Sequence, residues 1–434
     1  MKIKFLITFL FLSIAIVSKS QSDLSLQSAI QNALSSNLDL KLAQSDAVIA
    51  HNNNHIGNAG MLPTVTFNAS ATPSLTNINQ KFTNGTSIEK SGVFSNSVNA
   101  NIIATYTLYD GSRMFAARNR LEFQDEAAKN TFNSRVQTIV SSVISTYANI
   151  VRQQEYLKVL LQLQTLSDQR LTLVKQRKEA GLANNTDLYL AQLDVESRNQ
   201  AVNSQHAIIK NAFTDLNVLM NAPASTTYTL SSFEPTTLSL QKASLDSSII
   251  KNPDVSLAQN QLDIAYQTQR EIAAASSPLL RLNGAYNYNI SQSQAGFSLY
   301  NQSTGPQVGL TLAIPLFTGN VNSVNTKNAR VNIEAATVRK ERTIQQLNAA
   351  LEQAWVNYQN ALMQINSDTS AVRIAKEYMD LMQQRFNLGQ NTIIELKEAQ
   401  RTFEETNYRL ISNKYIAKLA ETQLMLLTGM LVKN

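Results

Sequence analysis

Of the three histidines in this 434-residue chain, His51 and His55 stand four apart, a spacing that puts both imidazoles on one face of a helix. Such a pair can ligate a divalent metal when a third donor completes the site. The positions matching them in an internal repeat, described below, are Tyr266 and Arg270, and no clear carboxylate partner accompanies them, so no metal site is expected. His206 alone leaves a catalytic triad little material. The absence of Cys excludes disulfides and a lipoprotein anchor. There is no Gly-Lys dipeptide and no Gly-x-Gly, which removes the P-loop and the dinucleotide fingerprint. The sequence therefore predicts no enzyme and no cofactor, and its information lies in how its elements are laid out.

Those elements must be long. Glycine numbers 13 in 434 residues, less than half the usual ~7%, so the chain has few turns. Charged residues make up 16%, against a usual ~25%, while 44 Asn and 35 Gln keep the surface wet without much charge. Lys2 and Lys4 precede an apolar run from Phe5 to Val17, with Ser18 and Ser20 before Gln21, which reads as a secretory signal over residues 1–20. The run is shorter than the ~20 residues of a spanning helix. The formal charge of +6 includes Lys2, Lys4 and Lys19; without them 6 − 3 leaves +3, too small and dispersed for a nucleic-acid partner. No other stretch is apolar enough for a transmembrane helix.

A duplication organises the remainder. Leu-Ser-Leu-Gln-x-Ala occurs at Leu24 and again at Leu238, and Asn37, Asp39, Leu42 and Pro63 match Asn252, Asp254, Leu257 and Pro278 at an offset of 215. From Gly111 the offset is 208, pairing Gly111 with Gly319, Arg177 with Arg385, Gly181 with Gly389, Gln192 with Gln400 and Leu219 with Leu427. The first repeat, 21–222, predicts a helix over 24–60, strands at about 63–76 and 93–109, and helices over 112–178 and 186–222. A Ser/Thr-rich segment at 223–241, with Pro223 and Pro235, reads as a linker. The second repeat, 242–434, predicts a helix over 242–276, strands at about 279–290 and 307–317, and helices over 320–386 and 392–430. Residues 112–178 contain neither Gly nor Pro, and a helix of that length would run about 100 Å. The two shorter helices of each half, stacked end to end, would cover it.

The strands alternate strictly. Leu280, Leu282, Tyr286, Tyr288, Val308, Leu310, Leu312 and Ile314 face one way; Arg281, Asn283, Asn287, Asn289, Gln307 and Thr311 face the other. An ordinary soluble sheet resting on helices would alternate too, but small polar residues on the second face suit a wet lumen, and aromatics near the strand ends suit lipid interfaces. Four strands cannot close a barrel. Two chains would supply eight, with a plugged interior, and three would supply twelve, leaving room for water. The expected fold class is thus mainly α with a transmembrane β-barrel portion: duplicated helix-hairpin-helix halves, a long antiparallel coiled-coil α-barrel, and four β-strands per subunit forming a 12-stranded barrel in a homotrimer.

With its turn motifs Arg-Lys-Glu-Ala-Gly-Leu-x4-Asp-Leu at 177–188 and Arg-Phe-Asn-Leu-Gly-x5-Glu-Leu-x2-Ala-Gln at 385–400, Asn-Pro-Asp at 252–254 and Leu-Phe-Thr-Gly at 316–319, the chain resembles the TolC-like outer-membrane efflux protein family over its whole mature length. The resemblance implies a trimeric channel-tunnel in the outer membrane, extending into the periplasm, that serves efflux or secretion with a periplasmic adaptor and an inner-membrane pump. It places Arg177, Gly181, Leu182, Arg385 and Gly389 at the periplasmic tip that meets the adaptor. It also places Glu395 and Glu398 at the narrowed entrance, where six carboxylates of a trimer would raise one another's pKa values and attract cations; solvated glutamates at a helix start are the alternative. In the family's closed state an Asp is locked to a Tyr and an Arg. Asp187 matches the Asp, but Phe386 and Asn391 replace the others, so closure is expected to rest on packing around Phe386. A coiled-coil structural or adhesive surface protein remains the other reading of the helices.

Overall fold

The computed structural model describes residues 23–231 and 242–432. The leader read at 1–20 and most of the linker read at 223–241 lie outside the described residues. The order is β1 (Asp23–Leu24), α1 (Leu26–Ser36), α2 (Leu38–Asn53), β2 (Thr64–Lys81), β3 (Ser87–Tyr109), α3 (Arg113–Glu179), α4 (Asn185–Leu219) and β4 (Thr229–Leu230). It continues with α5 (Lys242–Ser248), a 3-10 turn (Ile249–Lys251), α6 (Pro253–Ala274), β5 (Leu279–Ser293), β6 (Tyr300–Ala313), α7 (Val321–Asn387) and α8 (Ile393–Leu427).

The first helix of each half is broken, where the sequence predicts one helix over 24–60 and another over 242–276. Asn37 breaks the first by leaving the helical region (φ −58°, ψ 131°) and capping α2 with its own side chain. Its Oδ1 accepts from the Leu40 amide at 3.1 Å, and its Nδ2 donates to the Leu219 carbonyl, 2.9 Å away at the end of α4. Asn252 repeats the device: Oδ1 accepts from the Asp254 amide at 2.8 Å and Nδ2 donates to the Leu427 carbonyl at 3.0 Å. Both members of each pair are repeat partners, so the duplication copied a pin that joins a short helix to the end of the returning one.

The cores match in the same way. In α3, Val143 and Ile150 pack with Leu216 of α4 and with Ala29 and Ala33 of α1; their counterparts Leu351, Tyr358 and Leu424 pack with Leu245 and Ile249. The helices stand in a row. The column of α2 and α4 lies on α3, α3 lies on α6 and α8, and those lie on α7, so α2/α4 and α7 are the two outer columns. No described helix is long and apolar enough to cross a membrane.

β1 and β4 pair in parallel as a separate two-stranded ribbon, while the other four strands form one antiparallel sheet in the order β2-β3-β5-β6. Its register aligns Phe67, Ile102, Tyr286 and Pro306 across all four strands, and beside them Asn68, Asn101, Asn287 and Gly305. The first hairpin extends beyond the predicted 63–76 and 93–109, because the Thr/Asn-rich backbone past the alternating stretch still pairs, with an irregularity between Thr76 and Ile78. β6 spans 300–313 rather than 307–317: Pro315 lacks an amide donor, and Ile314 falls just beyond the strand. Strand passes to long helix through two consecutive left-handed residues in each half, Gly111 and Ser112, then Gly319 and Asn320. A Cβ on Gly111 would meet the Ser277 side chain at 2.3 Å.

Asn37→Ala and Asn252→Ala should each lower stability by about 1–2 kcal/mol through loss of a cap and of a carbonyl's partner. Aspartate at either site should recover part of that loss. Denaturant unfolding of the detergent-solubilised protein, followed by helical circular dichroism, measures both.

Candidate functional site

The two helical turns close by the same hydrogen bonds. Past α3, the amide of Gly181 (φ 72°) donates to the Lys178 carbonyl and that of Leu182 to the Arg177 carbonyl. Past α7, Gly389 (φ 76°) donates to Phe386 and Gln390 to Arg385. Each returning helix then begins with a capping box, Asn184 with Asp187 and Thr392 with Glu395, again repeat partners. Leu182 is 80% exposed and Leu388 is exposed beside the second turn. A cleft of about 790 Å³ runs between the turns, lined by Arg177, Leu182, Asp187, Phe386, Gly389 and Asn391 among others.

Each predicted residue has a definite place here. Asp187 spends its carboxylate within its own turn, accepting from the Asn184 amide at 3.2 Å, rather than reaching across to the second hairpin. Phe386 is buried among Val174 and Ala191 of the first hairpin and Met382, Ile393 and Leu396 of the second. Asn391 donates to the Met382 carbonyl at 3.0 Å. The cross-hairpin link is made by Arg177, whose guanidinium lies 5.1 Å from the centre of the Phe386 ring and donates to the carbonyls of Phe386 (2.6 Å) and Asn387 (3.0 Å). Arg385 stays at its own turn, donating to the Gln390 carbonyl.

Glu395 and Glu398 are both exposed, and in the single chain both titrate below the usual carboxylate range instead of above it. Glu395 is lowered by the Thr392 backbone amide (2.7 Å) and hydroxyl (2.9 Å). Glu398 is lowered by Arg401, which grips it with two nitrogens at 2.7 and 3.1 Å and also reaches Glu405. Both causes lie within the chain, three residues from each carboxylate.

A buried polar cluster stands farther along the seam and was not foreseen. Arg170 of α3 is fully buried, ion-paired to Asp194 of α4, and donates to Gln400 of α8 at 2.9 Å. Lys397 also pairs with Asp194, at 3.1 Å. Burial, then the nearby Arg198 charge, push the Arg170 guanidinium down to about 10. Next along the seam, Tyr156 and Arg198 both bond Glu404, at 2.9 and 2.5 Å. A signal existed: the repeat partner of Arg170 is Tyr378, so a charge stands in a helix seam where the other copy has a ring.

In the sheet, Leu280, Leu282, Tyr286, Tyr288, Val308, Leu310 and Leu312 share one face with Val65, Phe67 and Ile102. Most of these side chains are exposed in the single chain, Val308 at 76%. The opposite face carries hydrogen-bonded polar pairs: Asn68 with Asn101 at 3.0 Å, Asn283 with Thr311 at 2.8 Å, and Asn287 with Gln307 at 3.4 Å. The histidines separate. α2 ends at Asn53, so His55 is off the helix and accepts from the Gly57 amide, while His51 has the carboxylate partner that the sequence hid, Asp125 at 3.3 Å.

A family model described as outer membrane efflux protein matches residues 29–222 and 245–430. The outer membrane protein TolC of Salmonella enteritidis is 23% identical over 347 residues, covering 75% of this chain and 68% of the relative. That of Vibrio cholerae is 24% identical over 349 residues, covering 78% of each. Among solved structures, the Campylobacter jejuni CmeC outer membrane channel superposes with a TM-score of 0.80 at 16% identity, over 93% of this chain and 85% of that one.

Asp194→Ala should cost about 3–5 kcal/mol, because it strands the buried Arg170 charge. Replacing Arg170 and Asp194 together by Met and Leu should recover most of that loss, which a double-mutant cycle of unfolding free energies tests. For Glu395 the depressed pKa fixes a sign: the capping box is intact above the ordinary carboxylate pKa and loosens as pH falls through the lowered one. Hydrogen exchange at the Thr392 amide should therefore lose protection only in acid below the ordinary carboxylate range, and should lose it at neutral pH in Glu395→Ala, while Glu395→Gln, which keeps a capping carbonyl, should retain it.

Proposed function

Because the chain belongs to the outer membrane efflux protein family, we propose that three copies assemble into the exit duct of an efflux or secretion system. The protein is an outer-membrane protein that extends into the periplasm. The observation that carries the proposal is the sheet: apolar on one face, lined with Asn, Thr and Gln on the other, and unpaired along the outer edges of β2 and β6. In hydrocarbon those edges require partners, and a second copy's β6 against β2 provides them on both sides. Four strands from each of three chains make a twelve-stranded barrel, wide enough for water inside, with Leu282, Leu310, Leu312 and their neighbours turned to lipid.

The helical row supports the same closure. Its outer columns both carry exposed apolar side chains, Leu38, Leu42, Tyr189 and Leu193 on α2 and α4 and Val324, Val331, Val338, Ile374 and Leu381 on α7. The three valines recur every seven residues, as a second helix along that side requires. In the ring, α7 of one chain lies against α2 and α4 of the next. The tip, with Arg177, Gly181, Leu182, Arg385 and Gly389, then faces a periplasmic adaptor beneath which an inner-membrane pump loads the duct. Closure at the tip rests on Phe386 and its neighbours Asn391 and Arg177, with Asp187 shaping the first turn. Glu395 and Glu398 lie at the entrance and favour cations, Glu398 less so because Arg401 offsets it.

The native sequence has no Cys, so engineered pairs report cleanly. Leu193→Cys with Leu381→Cys should oxidise to a covalent trimer on a non-reducing gel. A chain that stays monomeric in detergent, or that links only within itself, sinks the proposal. In planar bilayers the reconstituted protein should conduct, and the Glu395→Ala, Glu398→Ala double variant should lose cation preference; an unchanged reversal potential removes the entrance role.

A further inference from the structure

The polar face of the sheet holds a single charge. Over 64–76, 93–109, 279–293 and 300–313, the paired stretches below the outer hairpin ends, Arg281 is the one ionisable side chain of the acidic or basic kinds. It is the third residue of β5, close to where that strand leaves α6. Its register partners are Thr107 on β3 and Thr311 on β6, so it shares the face of Asn283 and lies opposite Leu280 and Leu282. Its side chain is exposed. Among the described residues, no hydrogen bond or ion pair holds its guanidinium. The carboxylate at the end of the neighbouring strand, Asp110, accepts from the Met114 amide at 3.0 Å instead.

An unpaired guanidinium in lipid is costly, whereas one facing water between neutral amides and hydroxyls sets the local potential. From this we infer that Arg281, repeated in the three copies, forms a ring of positive charge at the inner mouth of the barrel, which draws small anions into the lumen and sets the charge selectivity of the barrel part of the duct. The inference rests on the trimeric duct proposed above. It concerns the opposite end of the helices from Glu395 and Glu398; α3 and α7, each of 67 residues, separate the two by far more than the ~8 Å over which charges communicate at physiological salt. The two groups act in series and can be altered separately.

Reversal potentials in a KCl gradient test it. Arg281→Gln should lower chloride relative to potassium permeability by about threefold, the scale of a few screened charges across a narrow lumen. Arg281→Glu should lower it further, and Arg281→Lys should leave it unchanged. The difference between wild type and Arg281→Gln should remain in acid, where any contribution from the tip glutamates fades. Citrate should reduce wild-type current at low salt and lose that effect at high salt. An Arg281→Gln channel that conducts with the wild-type reversal potential overturns the inference. So does a wild-type channel indifferent to citrate, even if Arg281→Gln fails to insert. Wild-type protein that is monomeric and never conducts overturns the duct itself.

Discussion

A backbone amide or carbonyl left without a partner in hydrocarbon costs several kcal/mol. β2, with 18 residues, and β6, with 14, each pair on one side only. That constraint governs the molecule. A sheet that is apolar on one face and amide-lined on the other suits neither a soluble core nor open lipid, which is why the proposed assembly pairs its edges with further copies. The helices inherit the geometry, standing in a row whose outer columns belong to different halves of the duplication.

Duplication explains how so long a molecule is specified with so few turns. Asn37 and Asn252 pin equivalent helix ends, and the two strand-to-helix junctions share consecutive left-handed residues. The copies diverge where the two hairpins meet each other. Arg170 has become the centre of a buried ion-pair cluster while its partner position is Tyr378, and Arg177 reaches across the seam while Arg385 does not. The seam inside one chain is therefore asymmetric, with the first hairpin supplying the guanidinium donors.

What the sequence could reveal depended on how local the signal was. Absence of Gly and Pro marked the two long helices, and strict alternation marked the two faces of the sheet, because each is a property of one segment. Asn37 is invisible as a helix break, since an asparagine inside a helical pattern leaves it only when a distant carbonyl, here that of Leu219, rewards its amide, whereas Pro253 marks the second break at Asn252 in the sequence itself. The polar ends of the first hairpin pair mainly through backbone, which residue type does not report, with Asn77 Oδ1 accepting from the Gly92 amide at the irregularity. Within one chain, Glu395 and Glu398 are lowered by Thr392 and Arg401, partners three residues away that helix spacing alone brings together; crowding across an axis is a property of an assembly and lies outside the single chain. Residues of the Arg170 cluster come from three helices, and only the mismatch with Tyr378 betrayed it.

The grip of Arg177 on the end of α7 has one more implication. Its acceptors are peptide carbonyls, which carry no charge and gain no proton at any acidity a cell meets. The clasp therefore holds no carboxylate for acid to neutralise, unlike the Arg170–Asp194 and Arg198–Glu404 pairs farther along the seam. Separating the hairpins at the tip means breaking both hydrogen bonds and uncovering Phe386.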